Sequence, residues 1–494
     1  ADGNRLRRVP IPAPRGSIYD VHGRLVVGNR LAFTVSVVPG GLSKDQERVV
    51  ARLSQLLGVP EETIQEGLRN GRTYPYVPIR VLRDVPLQAV LAIEENRMDL
   101  PGVLIEEEPV REYPYGSLAS HVFGYLQPIT REELASLEGY RATDLIGRTG
   151  LERTYESWLR GVEGSRLVEV NALSRPIRQL NQQPPQPGHD LHLTLDLDLQ
   201  QAAEEAFVQH LQALAQDGNG PAPVAGAVVV LDPHSGAVRA LVSHPGYDPN
   251  RFLSPGLGEY FRSLEADPAQ PLVNRVLTGQ YPPGSAFKPV SAVAILESGA
   301  IGVDEEYYAT GFVDAGGGIV KRNWTVAAGL PAPGWIDIRA ALEQSTNDFF
   351  YVHGAKAGID ALASAARRFG LGRPTGLDLA PQERAGLVGD PAWKRASRAH
   401  LPVYEQRWYV SETMDVSIGQ GPLLVTPLQL ALVYMGLANR GEIYRPYLVE
   451  RIVSASGETV YEHERELAYR VRLPAHIWQA IHEGLVRVVH GSRG

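Results

Sequence analysis

Cysteine is absent from the 494 residues. Disulfides, thiolate nucleophiles and thiolate metal sites are therefore excluded, while the compartment stays open, since the absence fits either redox state. No run of about 18 apolar residues occurs, so no segment of this sequence can cross a bilayer as a helix. No charged-then-apolar stretch reads as a signal segment. Basic character is lacking too: the net charge of −8 argues against a nucleic-acid partner. The small cluster Arg5, Arg7 and Arg8 reads as a solvated arm. The histidines are scattered, without the paired spacing of a zinc site, and no phosphate-cradling glycine loop is present, so neither a metal nor an organic cofactor is expected. Gly316-Gly317-Gly318 reads as a flexible turn. The acidic run Glu106-Glu107-Glu108 reads as a solvated edge, not a glycosidase pair.

What is present is an ordinary globular composition, 44% hydrophobic and 21% charged, in a chain too long for one core. Residues 31–38 alternate and are β-branched, which predicts a strand. Ser43 is placed to cap a helix running to about Leu57, and a second helix is expected over 61–68. The segment at about 45–108 reads as an inserted head subdomain between strands of a first domain. Asn181 to Gly188, rich in Gln and Pro, is the clearest linker by composition, which sets domains at 1–185 and 186–494. Beyond it the pattern predicts a strand at 191–196, a helix at 199–214, and a hairpin over 225–242 turning at Asp232-Pro-His-Ser-Gly236. Helices follow at 285–298, 337–350, 359–369, 426–440 and 475–489. Strands with segregated helices make the fold class α+β.

Lysine is rare: only five occur, and of these only Lys288 has a serine three residues before it. Pro282-Pro283-Gly284 cannot lie inside a helix cheaply, so a helix should begin at or just after Ser285, with Pro289 tolerated in its first turn. Residues i and i+3 share a helical face, which brings the Lys288 amine within reach of the Ser285 hydroxyl. A nucleophile beside a base at a helix N-terminus is an arrangement suited to acyl transfer. A solvated helix start is the plainer reading of the same pattern. Farther on, Ser345-Thr346-Asn347 is the only Ser-x-Asn in the chain. It reads either as a polar turn or cap, or as a hydroxyl and an amide entering the same cleft as Ser285. His244 and Asp248 read as structural.

Ser-x-x-Lys, then Ser-x-Asn, then Lys-Thr-Gly is the signature of penicillin-binding proteins and class A β-lactamases. The third motif is missing; Gly147-Arg148-Thr149-Gly150 and Arg373-Pro374-Thr375-Gly376 come nearest and neither has the lysine. Other blocks extend the likeness. They are Arg15-Gly16-Ser17-Ile18-Tyr19-Asp20, Arg111-Glu112-Tyr113-Pro114-Tyr115-Gly116, Gly150-Leu151-Glu152, the run over 183–200, Ser417-Ile418-Gly419-Gln420-Gly421 and Thr426-Pro427-Leu428-Gln429-Leu430. In this order the chain resembles a class B penicillin-binding protein. The runs YPYG, VEVNALSRPIRQL and QPPQPGHD resemble the elongation type, penicillin-binding protein 2, more than the division type.

The resemblance implies an elongated non-catalytic N-terminal domain of the pedestal or dimerisation type. It implies a C-terminal transpeptidase domain, an antiparallel sheet with helices, cut short here before its Lys-Thr-Gly strand. It also implies a single N-terminal membrane anchor ahead of residue 1, with the body on the periplasmic side of the bacterial cytoplasmic membrane. The implied activity is D,D-transpeptidation of peptidoglycan stem peptides in cell-wall elongation, with β-lactams as acylating inhibitors. Ser285 would be the nucleophile, Lys288 the base, Ser345 the proton relay, and Asn347 the group that orients the substrate amide and Lys288. No cofactor is required. The implied partner is a SEDS-family membrane glycosyltransferase. The alternatives are a serine carboxypeptidase or β-lactamase-like hydrolase, for which no deacylating base is apparent, and a catalytically silent scaffold that activates a glycan polymerase.

Overall fold

A 13-residue strand, Leu25–Val37, organises the first part of the chain. It begins earlier than the 31–38 alternation suggests, because Val26 and Val27 are buried as well. The computed structural model describes residues 6–42, 46–70, 78–142, 144–170, 176–217, 223–254, 256–379 and 383–494. The chain forms two compact units: one of 1–225, 242–272 and 448–463, the other of 226–241, 273–447 and 464–494.

In the first unit, Leu25–Val37 pairs antiparallel with Val103–Glu112, in register from Gly28 opposite Glu112 to Val37 opposite Val103. Between these strands the chain forms helices Gln46–Leu57, Glu61–Asn70 and Leu87–Glu95 and strand Ile79–Val85. Their apolar faces close a separate core around Val49, Val50, Leu53, Ile64, Leu68, Val90 and Ile93. Apolar positions at i, i+3 and i+4 bury together because they lie on one helical face. The expected cap Ser43 lies outside the described residues.

The expected boundary at 185 is followed closely by a strand whose pairing ties it to the start of the chain. Strand Asp190–Leu193 pairs in parallel with Ile18–Tyr19 on one side and antiparallel with Val449–Val453 on the other. Its backbone groups are thus tied to both ends of the sequence, and the first unit reaches Ala225 before the chain leaves it. The linker expected at 181–188 also begins inside a strand: Pro176–Gln183 pairs with Gly164–Val170, with Gln183 opposite Ser165. Its residues from Arg178 are exposed, so the composition of a solvated ribbon reads as that of a linker.

A buried ionic cluster holds this unit together. Glu152, whose side chain is 0% exposed, accepts from Arg111 Nε at 2.6 Å and Arg15 Nη2 at 2.7 Å, and Tyr113 Oη lies 3.2 Å away. Burial pushes its carboxyl up, but the two guanidinium groups more than reverse this and hold it below the usual carboxylate range. Nearby, a cavity of about 720 Å³ is lined by residues that include Arg80, Glu108, Asp144 and Arg160. Asp248 serves a turn, accepting from the Asn250 backbone at 3.0 Å, while Asn250 exchanges two hydrogen bonds with the Tyr113 backbone.

The second unit is built around helix Lys288–Glu297, whose residues from Lys288 to Leu296 are all buried. Helices Asn347–Ala357, Ile359–Arg368 and Ala475–His490 pack against it. Its core includes Val290, Val293, Phe349, Phe350, Leu362, Phe369 and Ile481. Among the described residues its strands form separate two-stranded antiparallel ribbons, not one wide sheet. The expected hairpin is Gly226–Leu231 with Val238–His244, and its turn is closed by Gly236 N–H donating to the Asp232 carbonyl at 2.9 Å. Among the described residues no helix is long and apolar enough to cross a membrane.

Candidate active site

The segment expected to start a helix at Ser285 begins as a tighter turn. Gly284–Phe287 is a 3₁₀ turn, and the α-helix takes over at Lys288 with Pro289 in its first turn. Gly284 adopts φ +57°, the left-handed region that favours glycine. Surrounding strands and loops pin this turn. Tyr281 and Val425 exchange two backbone hydrogen bonds of 2.9 Å, Gly284 N–H donates to the Gly419 carbonyl at 2.9 Å, and Tyr434 Oη donates to the Ala286 carbonyl at 3.2 Å. A Cβ on Gly419 would stand 2.0 Å from the Gly284 carbonyl oxygen, so only glycine allows this approach. Ser285 itself is exposed.

The expected helix over 337–350 is two helices, Ile338–Glu343 and Asn347–Ala357. The break is at Ser345, which adopts φ +51°. Ser345 N–H donates to the Leu342 carbonyl at 3.1 Å and Thr346 N–H to the Ala341 carbonyl at 3.0 Å. That pair of bonds is a Schellman ending, in which glycine is the usual occupant of the Ser345 position. A serine there carries left-handed strain of about 1–2 kcal/mol. Strain of this kind at a non-glycine residue concentrates at functional sites.

The break turns both polar side chains onto Lys288. The Lys288 side chain, on a residue only 2% exposed, donates to the Ser345 carbonyl at 2.7 Å, Ser345 Oγ at 3.0 Å and Asn347 Oδ1 at 2.6 Å. Its Nζ also lies 5.4 Å from the centre of the Phe350 ring. Burial pulls the amine down to about 7, against an opposing pull from Asp348. The three contacts suit both protonation states. An ammonium donates to all three oxygens; a neutral amine keeps two donations and receives the Ser345 hydroxyl proton on its lone pair. The structure thus joins Lys288, Ser345 and Asn347 directly. Among the described residues, the Ser285 hydroxyl has no hydrogen-bond partner.

Residues unremarked in the sequence complete the site. Asn323, 0% exposed, accepts from Asn347 N–H through Oδ1 at 2.7 Å and donates its own N–H to the Gly311 carbonyl at 2.8 Å. Asp348 accepts from Gly311 N–H at 2.9 Å, and Trp324 Nε1 donates to the Gln344 carbonyl at 3.0 Å. Asn323 lies between strand Val320–Arg322 and the short helix Trp324–Ala327, at whose N-cap it stands, a place where asparagine is common and so draws no notice in the sequence. Among the described residues, no group of three His, Asp or Glu side chains is placed to hold a metal ion.

A buried lysine poised near neutrality, between a serine and an asparagine and one helical turn from an exposed serine, is the arrangement of a serine acyltransferase. Residues 10–193 match the Penicillin-binding Protein dimerisation domain, and 226–494 match the Penicillin binding protein transpeptidase domain. The chain belongs to the penicillin-binding proteins. Within them it falls with the penicillin-binding protein 2 group and is a peptidoglycan D,D-transpeptidase. It is 35% identical over 453 residues to the peptidoglycan D,D-transpeptidase MrdA of Escherichia coli K12, covering 90% of this chain and 68% of that one. Penicillin-binding protein 2 of Helicobacter pylori, solved in complex with MreC, aligns with a TM-score of 0.80 at 25% identity, over 99% of this chain and 85% of that one. A chain from a peptidoglycan synthase complex aligns with a TM-score of 0.74 at 32% identity, over 99% of this chain and 80% of that one.

Proposed function

We propose that Ser285 is the nucleophile of this transpeptidase, Lys288 its base, Ser345 its proton relay and Asn347 the residue that orients substrate, in cross-linking that serves cell-wall elongation. Ser285 attacks the carbonyl of the penultimate D-Ala of a donor stem peptide while Lys288 takes its proton. The bond to the terminal D-Ala breaks, and Ser345 Oγ, 3.0 Å from Lys288 Nζ, passes a proton to the leaving amine. An amine of a neighbouring stem then resolves the acyl-enzyme. The observation that carries this reading is the Lys288 environment. A base works best when its pKa lies near the working pH, and this one is held at about 7. In the family a Lys-Thr-Gly strand contributes further positive charge and part of the oxyanion hole; this sequence contains no such motif.

Among the described residues of the N-terminal region, to about residue 185, no catalytic constellation occurs, and the inserted head at about 45–108 is read as a docking element. The Helicobacter pylori relative was solved with MreC, and another neighbour within a peptidoglycan synthase complex. These favour a membrane-bound synthesis partner, a SEDS-family glycosyltransferase that supplies the glycan strands. The body then works on the periplasmic side of the bacterial cytoplasmic membrane, held by an N-terminal anchor.

The test is labelling of the full-length enzyme with fluorescent penicillin, whose strained amide acylates the nucleophile. Label is expected on Ser285, abolished by Ser285→Ala and reduced about 10²–10⁴-fold by Lys288→Arg, which cannot deprotonate near neutral pH. Label on another residue, or an unimpaired Lys288→Arg variant, overturns the assignment. A silent scaffold would take no label, and a hydrolase would shed it rapidly.

A further inference from the structure

We propose that Asp348 is a positioning residue of this site, whose buried carboxylate ties the Gly311 loop to the start of the Asn347–Ala357 helix and serves as the counter-charge of Lys288. The inference rests on the reading of Lys288 as the base. Asp348 directly follows Asn347, is 0% exposed, and accepts from Gly311 N–H through Oδ2 at 2.9 Å. Among the described residues its Oδ1 has no partner at full hydrogen-bond geometry; burial raises the carboxyl's pKa, opposed by the N–H groups of Gly311, Asp348 and Phe349 and, more weakly, by Lys288. A buried carboxylate with one oxygen unsatisfied is costly unless a charge compensates it.

The stitching is reciprocal. Gly311 gives its N–H to Asp348 and takes the Asn323 N–H on its carbonyl, while Asn323 takes the Asn347 N–H. One short loop is thereby held at two points to the residues that face Lys288. Loss of the carboxylate would free Gly311 N–H and leave Asn347 supported through Asn323 alone.

The charge acts in the opposite sense to burial. Burial favours a neutral lysine, whereas a nearby carboxylate favours the ammonium, so Asp348 limits how far Lys288 falls. A base pulled much lower would be deprotonated at neutral pH yet too weak to draw a proton from a serine. The other titratable groups facing this pair do not supply the charge. Tyr307, on strand Tyr307–Ala309, is shifted upward by burial and by Asp348, and Tyr351, on the Asp348 helix, by burial, then Asp415, then Asp348, so both stay neutral. His353, on the same helix, is held neutral by burial, its pKa lowered to about 4. Lys321 and Asp415 lie 2.5 Å apart, and their charges cancel.

The test is Asp348→Asn in the full-length enzyme, which keeps an acceptor for Gly311 N–H and removes the charge. Lysines labelled at Cε with ¹³C are few enough to resolve, and Lys288→Met identifies the Lys288 signal. The Lys288 titration midpoint is expected to fall by about one pH unit. The acidic limb of penicillin acylation against pH should fall with it, which a purely structural role would not produce. An unmoved or raised midpoint in a folded variant overturns the inference while leaving Ser285 and Lys288 in place. A lowered midpoint with an unmoved acylation limb supports the counter-charge and overturns Lys288 as the base. Should Asp348→Asn not fold, Asp348→Ser, smaller and also able to accept from Gly311, carries the same readout.

Discussion

Replacing Ser345 by alanine and by glycine removes the same hydroxyl but leaves the backbone in two different situations. Ser345 holds φ +51° at the end of helix Ile338–Glu343. An alanine there keeps the Cβ clash of left-handed backbone, about 1–2 kcal/mol; a glycine relieves it. Glycine gives back about 0.4–1 kcal/mol through the freer unfolded chain. The balance leaves Ser345→Gly more stable than Ser345→Ala by about 0.5–1 kcal/mol, or about 1–4 °C in Tm for a unit of this size. Both variants lose the oxygen 3.0 Å from Lys288 Nζ, so both should be acylated slowly by penicillin, by about 10²-fold or more. Thermal melts and stopped-flow acylation read the two effects separately. A glycine variant melting at or below the alanine variant would refute the strain argument. Acylation at the normal rate in either would remove Ser345 from the proton path.

Gly419→Ala places a methyl group against the Gly284 carbonyl and shifts the turn that carries Ser285. Displacement of about 1 Å costs near 10² in rate, so acylation should fall by that factor while far-UV circular dichroism is unchanged; undiminished acylation would show that the turn tolerates the shift. Glu152→Ala leaves the buried Arg111 guanidinium without its carboxylate, while Arg15 keeps Glu156 at 2.8 Å, and should destabilise the first unit by about 3–5 kcal/mol, read by denaturant unfolding. The depressed Glu152 carboxyl contributes stability above its unfolded pKa and loses it as pH falls through the folded value, so wild type should approach the variant in acid. A pH-independent difference would contradict that account.

Much of the site was legible in local spacing. Pro-Pro-Gly keeps the α-helix from starting ahead of Ser285, and the segment opens as a 3₁₀ turn over Gly284–Phe287, with Ser285 exposed and Lys288 buried just after it. The scarcity of lysine singles out this pair, and the helix expected over 426–440 forms as Pro427–Ala438, with Thr426 and Gln429 in a capping box at its start. One expectation failed where tertiary structure intervenes. The helix over 337–350 breaks because Ser345 goes left-handed to present its hydroxyl and carbonyl to Lys288, and residue pattern does not report that conformation. Composition likewise carries no trace of strand pairing, such as that of Asp190–Leu193 with strands about 170 and 260 residues away in sequence. The sequence by itself determined which serine and lysine stand one turn apart, the approximate ends of several of the longer helices, and the family. Tertiary structure decided that Lys288 is dry enough to act near neutral pH, that Asn323 and Asp348 belong to its surroundings, and that only glycine fits at 419. Spacing along a helix is a local property of the backbone, whereas burial, counter-charge and close approach depend on residues that meet only when the chain has folded.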